Sequence, residues 1–411
     1  MRRLKVLLSA YACAPSQGSE LGVGWGTARE MANHHDVWVL TQSRHRPAIE
    51  AELARNPVPG LRFAYYELPR WLGWWRRGQR GIRLHCYLWQ FGAYRVARRL
   101  QRDASIELAQ HVTFATYLKP SLLALLPVPF IWGPVGGGES APRAFRSSFG
   151  LRGRVYEATR NLARWWGERD PFVRLTARQC TLALAATEET AVRLRGLGVR
   201  EVRVQNQVGL GEEEVDLLSR RGARQGPMGP TRFVSVGRLL HWKGFHLGLR
   251  AFARARLSDA EYYIVGDGPE RKRLRALAEE LGIAHQVRFW GKLPRDETLR
   301  RLGESHALVH PSLHDSGGYV CLEAMALGLP VVCLDLGGPA VQVAEETGFK
   351  VSAAKPEQAL DGLAAAMDAL SRNRDLAIGM GEAAQRRVAG HFDWRSKGAR
   401  MAELYEEVLD S

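Results

Sequence analysis

The residues best suited to chemistry lie in one run of the C-terminal half, HPSLHDSGGYVCLEAMALGLPVV. Gly317 and Gly318 stand where a helix is expected to start, so their backbone N–H groups predict a cradle for an anion. Glu323 lies little more than one turn into that helix, where its carboxylate can accept hydrogen bonds from ribose hydroxyls. Asp315 precedes the glycines and is placed to face a sugar, with an Asx turn or a helix cap as the alternative.

Two cations lie in an earlier segment of the same half, VGRLLHWKGFHLGLRAF. A strand is expected to end at Val236 and a helix to start near Gly244, with Arg238 and Lys243 in the loop between them. Open α/β sheets bind ligands at the carboxyl ends of their strands, and a helix N-terminus adds N–H donors and partial positive charge. The segment therefore predicts a diphosphate site, against the alternative of two ordinary surface cations.

A third segment, IVGDGPERKRL, predicts a tight turn at Gly266, Asp267 and Gly268 between a strand and a helix. A turn that lacks bulky side chains lets a flat ring approach the backbone. Such a turn is also common as a plain connection between two elements, so this segment alone predicts little.

The N-terminal half offers weaker candidates. The run SQGSELGVGWG predicts a glycine-rich loop after the first strand, from which Gly22 could approach a phosphate or a sugar. A second glycine-rich loop, WGPVGGGESAP, contains Gly137, Gly138 and Glu139. His111 ends a further strand in AQHVT, where a structural role is the more common one for a single histidine.

Short apolar runs alternate with amphipathic helical patterns, which predicts βαβ units and doubly wound parallel sheets. The Gly- and Pro-rich segment 224–231 is typical of a linker. We expect an N-terminal domain over 1–205, a C-terminal domain over 206–390 and a last helix within 391–411. The expected strands are LKVLLSAY, DVWVLTQ, LRFAYYEL, IELAQHVT, PFIWGPV, TLALAAT, RFVSVGRLL, AEYYIVGDG, QVRFWGKL, ALVHPSL and PVVCLDLGG.

Together these motifs resemble glycosyltransferase family four, a family of retaining enzymes with the GT-B fold. The family pattern is a Gly-Arg to Lys-Gly segment, then Gly-x-Gly-Pro, then a carboxylate and a Glu with seven residues between them. Here it appears as Gly237–Arg238 to Lys243–Gly244, Gly266 to Pro269, and Asp315 to Glu323 followed by AMALGLPVV. The loops GSELGVGW and GPVGGGE resemble those of a bacterial surface-polysaccharide subgroup.

The resemblance implies two Rossmann-like domains that face each other across a cleft, with the C-terminal helix returning to the N-terminal domain. It also implies transfer of a hexose from a nucleoside-diphosphate sugar, a UDP-sugar being favoured over a GDP-sugar. The implied acceptor is a glycan or a lipid-linked molecule used in cell-surface polysaccharide synthesis.

The resemblance assigns roles to individual residues. Arg238 and Lys243 would neutralise the donor diphosphate, and Glu323 would hold the ribose. Its catalytic candidates are Asp315, His111, Arg238 and Lys243. Its further donor contacts are Gly22, Gly266, Asp267, Gly268, Lys292, Leu293, Ser316, Gly317, Gly318, Tyr319 and Val320, and its acceptor candidates are Gly137, Gly138 and Glu139. The family usually has Glu where this chain has Asp315, a departure that bears on sugar specificity.

Because the chain has no Asp-x-Asp pair, no divalent metal and no other cofactor is expected.

Positive charge is concentrated in the N-terminal half. The first 205 residues hold 31 Lys and Arg against 15 Asp and Glu, within a net charge of +15 for the 411-residue chain. The segment 70–102 has nine arginines, no acidic residue, and the tryptophans Trp71, Trp74, Trp75 and Trp89. Trp and Arg together suit the headgroup region of a bilayer, so we expect binding to an anionic membrane surface. The alternative is a core helix with a solvated basic face.

Five cysteines without a CxxC pair indicate a reducing compartment. No apolar run is long enough to span a bilayer, so we expect a cytoplasmic protein, peripheral on the inner face of the membrane if it binds one.

Two rival functions stay open: a sugar-nucleotide epimerase or hydrolase of the same fold, and a nucleic-acid-binding protein, suggested by the isoelectric point near 10.0. Against nucleic acid, the chain shows no helix-turn-helix, zinc-finger or RRM signature.

Overall fold

A computed structural model describes residues 2–15, 19–73, 81–222 and 229–410. It contains thirteen strands in these ranges: β1 (Lys5–Ala10), β2 (Asp36–Gln42), β3 (Leu61–Tyr66), β4 (Leu108–Thr113), β5 (Phe130–Val135), β6 (Leu182–Ala185), β7 (Val202–Val204), β8 (Thr231–Val236), β9 (Ala260–Val265), β10 (Val287–Gly291), β11 (Ala307–His310), β12 (Val331–Leu334) and β13 (Gly348–Val351). They form a seven-stranded sheet in the order β3-β2-β1-β4-β5-β6-β7 and a six-stranded sheet in the order β10-β9-β8-β11-β12-β13. Every strand pair is parallel.

Sixteen α-helices connect and flank the strands within the described ranges. They are α1 (Ser19–His34), α2 (Arg46–Arg55), α3 (Arg70–Gly73), α4 (Ile82–Ala104), α5 (Leu151–Gly167), α6 (Pro171–Gln179), α7 (Glu188–Gly196), α8 (Glu212–Gly222), α9 (Phe245–Ala255), α10 (Arg271–Glu280), α11 (Arg295–Gly303), α12 (Tyr319–Ala326), α13 (Gly337–Gln342), α14 (Pro356–Arg372), α15 (Arg374–His391) and α16 (Trp394–Asp410). None of these helices is both long enough and apolar enough to cross a bilayer.

Both sheets have the strand order of a Rossmann-like domain, in which the chain reverses direction beside the first strand. The central strands are buried on both faces, which explains why β5, β11 and β12 are almost continuously apolar. The prediction of two such α/β domains is confirmed. All eleven predicted strands are present, whereas the short edge strands β7 and β13 were not predicted.

The chain divides into two compact units. Unit 1 consists of Met1–Gly138, Asn161–Gly209 and Trp394–Ser411, and unit 2 consists of Glu139–Arg160 and Leu210–Asp393. Helix α16 packs on α1 in unit 1, where the buried Tyr405 hydroxyl donates a hydrogen bond to Gln110 Oε1. The predicted return of the C-terminal helix to the N-terminal domain is therefore confirmed.

The predicted glycine-rich loop after the first strand is wrong for the described residues. Helix α1 begins at Ser19 and contains Gly22, Gly24 and Gly26, while Gly18 lies outside the described ranges. A Cβ on Gly24 would come within 2.2 Å of the Ala12 carbonyl oxygen, and one on Gly26 within 2.5 Å of the Trp394 ring. These two glycines therefore permit close packing of α1 rather than loop formation.

The basic segment 70–102 folds mainly as α4. The expectation that Trp89 meets lipid is wrong, because its side chain is buried and its Nε1 donates to the Tyr66 carbonyl oxygen at 3.0 Å. Trp71 is exposed, and Trp74 and Trp75 lie outside the described residues. Most of the expected linker at 224–231 is also outside them, and the preceding helix α8 was not predicted.

Candidate functional site

The predicted site residues of unit 2 follow the carboxyl ends of adjacent parallel strands. β8 ends at Val236, β9 at Val265 and β10 at Gly291, and these strands are neighbours in the sheet. The turns after them touch through their backbones, since the Gly266 N–H donates to the Gly291 carbonyl oxygen at 2.8 Å. A Cβ on Gly266 would lie 1.9 Å from the Gly237 carbonyl oxygen. Glycine thus lets the turns close into one sheet edge, the place where open α/β sheets bind ligands.

The start of α9 is held against the end of β11 by a glycine. Gly244 is the N-cap of α9 with φ of 67°, and a Cβ there would lie 1.8 Å from the Pro311 carbonyl oxygen. This approach brings the preceding residue, Lys243, beside the loop that follows β11. Lys243 Nζ lies 2.5 Å from Asp315 Oδ2, so the structure joins the two predicted segments through an ion pair.

Asp315 is the centre of a polar cluster. Its Oδ2 is also 3.2 Å from His310 Nε2, and its Oδ1 accepts from the N–H groups of Gly317 and Gly318 at 3.3 Å each. Burial opposes ionisation, but the Lys243 charge and the His310 contact outweigh it and hold the pKa of Asp315 well below its usual range. The Asx turn is therefore present, and the amides expected to cradle an anion already face a permanent carboxylate.

Glu323 is buried in α12 and forms an ion pair that was not predicted. Arg295 Nη1 lies 2.8 Å from Glu323 Oε1, and the same guanidinium pairs with Glu214 of α8. Glu214 also accepts from the Tyr319 hydroxyl at 3.3 Å. Burial raises the pKa of Glu323 to about 7, with Arg295 opposing the rise and Glu214 adding to it. Glu323 therefore titrates near neutral pH, and Arg295 is the cation that favours its charged form.

The remaining donor candidates of this edge have different surroundings. Arg238 and Lys292 are exposed, and neither forms an ion pair with a described residue. Asp267 instead serves its own turn, accepting from the Gly268 N–H at 2.7 Å and pairing with Arg271 at 3.1 Å. Of the two predicted phosphate cations, Lys243 is neutralised by Asp315. The charge of Arg238 is not neutralised by any described carboxylate.

Glu139 lies in unit 2 and contacts the loop after β11. The Ser316 hydroxyl donates to Glu139 Oε2 at 2.7 Å, and Glu139 is buried. The acceptor candidate Glu139 is thus connected to a donor candidate. Val320 is half-buried in the first turn of α12, and Leu293 is half-buried in the connection between β10 and α11, which places both at the same edge.

Residues 221–387 match the family model described as glycosyl transferases, group 1. This group 1 domain contains the Lys243–Asp315 pair, the glycine turns and the Arg295–Glu323 pair. The match confirms the expected glycosyltransferase domain in the second half of the chain and supports a transferase enzyme.

Two curated relatives are similar to part of the chain. The D-inositol 3-phosphate glycosyltransferase of Corynebacterium urealyticum is 35% identical over 183 residues, which are 42% of this chain and 42% of the relative. The lipopolysaccharide core biosynthesis glycosyltransferase LpsE of Rhizobium meliloti is 33% identical over 179 residues, 43% of this chain and 49% of the relative. The chain thus spans less than half the length of each of these curated relatives.

The fold is shared by a solved structure over nearly the whole chain. Anabaena HepE in complex with UDP superposes with a TM-score of 0.62 and 17% sequence identity, covering 98% of this chain and 100% of that one. At this identity the likeness establishes the fold, and it agrees with the two sheets described above.

The candidates His111, Gly137 and Gly138 lie in unit 1, apart from the group 1 domain in sequence. Burial lowers the pKa of His111 to about 4, and its Nε2 lies 3.1 Å from the Phe114 carbonyl oxygen, so its imidazole is neutral at neutral pH. The Gly138 N–H donates to Thr190 Oγ1 at 3.1 Å, and the Gly137 carbonyl oxygen accepts from Arg164 at 3.4 Å. Their backbone groups therefore serve the internal packing of unit 1.

A buried carboxylate that sequence reasoning missed connects the two loops bearing Lys243 and Asp315. Glu157 Oε1 lies 3.3 Å from His241 Nε2 and 3.2 Å from His314 Nε2. Burial opposes its ionisation, but these two hydrogen bonds outweigh it and keep the pKa of Glu157 well below its usual range. We call Glu157, His241 and His314 the histidine clamp, since His241 precedes Lys243 by two residues and His314 is adjacent to Asp315.

An aromatic stack reinforces the histidine clamp. The Trp242 ring lies between Tyr156 and His314, with centroid distances of 4.7 and 5.1 Å and interplanar angles of 13° and 15°. The Trp242 carbonyl oxygen also accepts from the Leu313 N–H at 2.8 Å. In the sequence, this stack is marked only by the His241-Trp242 pair before Lys243, and that pair does not predict a partner on α5.

Proposed function

We propose that this chain is a retaining glycosyltransferase that moves a hexose from a nucleoside-diphosphate sugar to a glycan or a lipid-linked acceptor. The observation that carries the proposal is the arrangement of Lys243, Asp315 and Glu323 around one strand edge of unit 2. Cations beside the N-termini of α9 and α12 suit a diphosphate, and a carboxylate one turn into α12 suits ribose hydroxyls.

The chemistry needs stabilisation of the departing diphosphate. As the bond between the anomeric carbon and the phosphate oxygen breaks, negative charge grows on the leaving group, and Arg238 and Lys243 are the cations that would meet it. The acceptor oxygen would form its bond on the same face of the sugar, and its proton would pass to the departing phosphate. Asp315, permanently ionised, would accept hydrogen bonds from sugar hydroxyls.

A UDP-sugar is the favoured donor and a GDP-sugar the second choice. UDP is supported by the complex of HepE, which shares the fold. A role in cell-surface polysaccharide synthesis is supported by the similarity to LpsE, named for lipopolysaccharide core biosynthesis. The name of the other relative, D-inositol 3-phosphate glycosyltransferase, points to a different acceptor, so the proposed acceptor is kept to a broad class.

The proposal includes two further features. Arg238 and Lys243 supply the positive charge that a divalent ion would otherwise provide, so we propose that turnover needs no metal and no other cofactor. We also propose that the basic segment 70–102 contacts anionic lipid at the membrane surface. Among the described residues of this segment, Trp71, Arg95 and Arg98 are exposed and support the proposal.

A ligand panel tests the function. Thermal unfolding is measured with UDP-, GDP- and ADP-sugars, since a ligand that binds only the folded chain raises the melting temperature. We expect stabilisation by a UDP-sugar and transfer to an acceptor that persists in EDTA. No stabilisation by any nucleotide sugar would contradict the proposal. Rapid release of free sugar or of an epimer from donor alone would instead favour a hydrolase or an epimerase.

A further inference from the structure

Helix α5 presents an apolar stripe to solvent. Leu151, Val155, Leu162 and Trp166 follow one another at intervals of four, seven and four residues, which places them on one side of a helix. Leu151 is 78% exposed, Leu162 57% and Trp166 65%. We call these four residues the α5 stripe, and the adjacent Trp165 is exposed as well.

The opposite side of α5 is the one packed against the protein. Gly153, Glu157 and Arg164 are buried, Glu157 takes part in the histidine clamp, and Arg164 donates to the Gly137 carbonyl oxygen. Because α5 is one uninterrupted helix, its buried and exposed sides are fixed by its own geometry. The α5 stripe is therefore an apolar face that the described chain leaves uncovered, a feature that marks interaction surfaces.

The surroundings of the stripe are basic. The sequence from 143 to 179 has nine arginines and three acidic residues, and Arg152 is exposed beside the stripe. Each of the acidic residues is engaged within the protein: Glu157 by two histidines, Glu168 by the Tyr117 hydroxyl at 2.8 Å, and Asp170 by the Tyr87 hydroxyl at 2.8 Å. Nine arginines against three carboxylates leave this part of the sequence with a clear excess of positive charge.

Tryptophan and arginine occur together at the end of the stripe. The Arg169 guanidinium carbon lies 3.8 Å from the centroid of the Trp165 ring, and Trp165 and Trp166 pack edge to face at 5.1 Å. Tryptophan rings favour the boundary between headgroups and acyl chains, where a cation stacked on the ring can meet lipid phosphate.

We propose that the α5 stripe docks on an anionic lipid bilayer, with α5 lying in the plane of the membrane interface. An apolar stripe bordered by arginines is the arrangement that inserts shallowly between headgroups, and anionic lipid complements its charge. The surface is distinct from segment 70–102 and does not depend on the proposed sugar transfer. It would also place the chain where a lipid-linked acceptor is found.

Vesicle flotation of the full-length protein tests the proposal. Wild type is expected to float with vesicles of phosphatidylcholine and phosphatidylglycerol, and much less with phosphatidylcholine alone or at high salt. The double variant Leu162→Glu/Trp166→Glu should bind the anionic vesicles at least about tenfold more weakly, because it places two charges in the apolar stripe. The matched control Val192→Glu/Ile378→Glu changes two equally exposed apolar residues elsewhere and should float like wild type.

A second variant keeps the test independent of folding. Arg143→Glu/Arg152→Glu alters only exposed charges and should also lose anionic binding, with an unchanged melting temperature. Wild-type flotation by both α5 variants would overturn the proposal, and so would loss of flotation only in Arg95→Glu/Arg98→Glu, which tests segment 70–102. A dimer in solution that Leu162→Glu/Trp166→Glu dissociates would show that the stripe meets a second copy instead of lipid.

Discussion

Lys243 and Asp315, 72 residues apart in the sequence, form an ion pair of 2.5 Å at the strand edge of unit 2. The carboxylate that neutralises Lys243 also accepts from the amides of Gly317 and Gly318. A diphosphate that binds here would therefore compete with Asp315 for the same donors, and its arrival would free Asp315 to accept hydrogen bonds from the sugar. The pair thus offers a means of coupling phosphate binding to sugar binding.

Lys243→Ala tests the phosphate role. Removing one preorganised cation from a developing charge should lower kcat/KM for a UDP-sugar about 100-fold or more. The fold should survive, because Asp315 keeps His310 and two amide donors. The control is Lys350→Ala, which removes an exposed lysine from β13 in the same unit and should leave steady-state kinetics unchanged. Wild-type turnover in Lys243→Ala would remove Lys243 from the mechanism.

Glu157→Gln tests the histidine clamp. The substitution preserves shape but replaces a carboxylate that accepts from His241 and His314 with an amide whose nitrogen would face Arg160. We expect a lower melting temperature and a kcat roughly tenfold lower, since small displacements of Lys243 and Asp315 misalign the reacting groups.

The control for the clamp is Glu261→Gln, which weakens ion pairs with Arg232 and Arg288 in the same unit. It should lower the melting temperature without lowering kcat when assayed well below the transition. If Glu157→Gln loses stability but keeps kcat, the clamp contributes to folding and not to the placement of Lys243 and Asp315.

The sequence predicts the strands and turns well, but it does not predict which side chains pair in the folded protein. Strand ends and the glycine turns follow from local patterns, because an apolar run, a glycine and a helix start are all read from adjacent residues. The Arg295–Glu323 pair and the histidine clamp are tertiary contacts whose partners come from different loops and helices. No pattern of adjacent residues therefore predicts them. The glycines of α1 were misjudged because glycine signals a loop unless close packing of a helix requires it.

Donor binding should depend on the ionisation of Glu323. Burial raises its pKa to about 7, so the free protein carries more of the charged form as the pH rises through that value. If the ionised carboxylate accepts from ribose hydroxyls, the affinity for a UDP-sugar should fall as the pH drops below about 7. The affinity is measured by calorimetry with a UDP-sugar, whose diphosphate has no ionisation in this range.

Glu323→Gln should bind the UDP-sugar more weakly and with little dependence on pH. Glu304→Gln, which alters a carboxylate on the surface beside Arg301, should keep the pH dependence of wild type. An unchanged pH profile in Glu323→Gln would show that another group is responsible for it.

A comparison of two glycines with nearly equal φ angles distinguishes the cost of backbone strain from the cost of a steric clash. Gly244 has φ of 67° and Gly282 has φ of 72°, but a Cβ on Gly244 would meet the Pro311 carbonyl oxygen at 1.8 Å, while one on Gly282 meets nothing within 4 Å. Gly282→Ala should therefore cost only the left-handed strain, about 1 to 2 kcal/mol of unfolding free energy. Gly244→Ala should cost clearly more in urea unfolding and should also lower turnover, since α9 must move away from β11 and take Lys243 from Asp315. Equal losses of stability in the two variants, with wild-type turnover in both, would show that the close approach of Gly244 to Pro311 does not position Lys243.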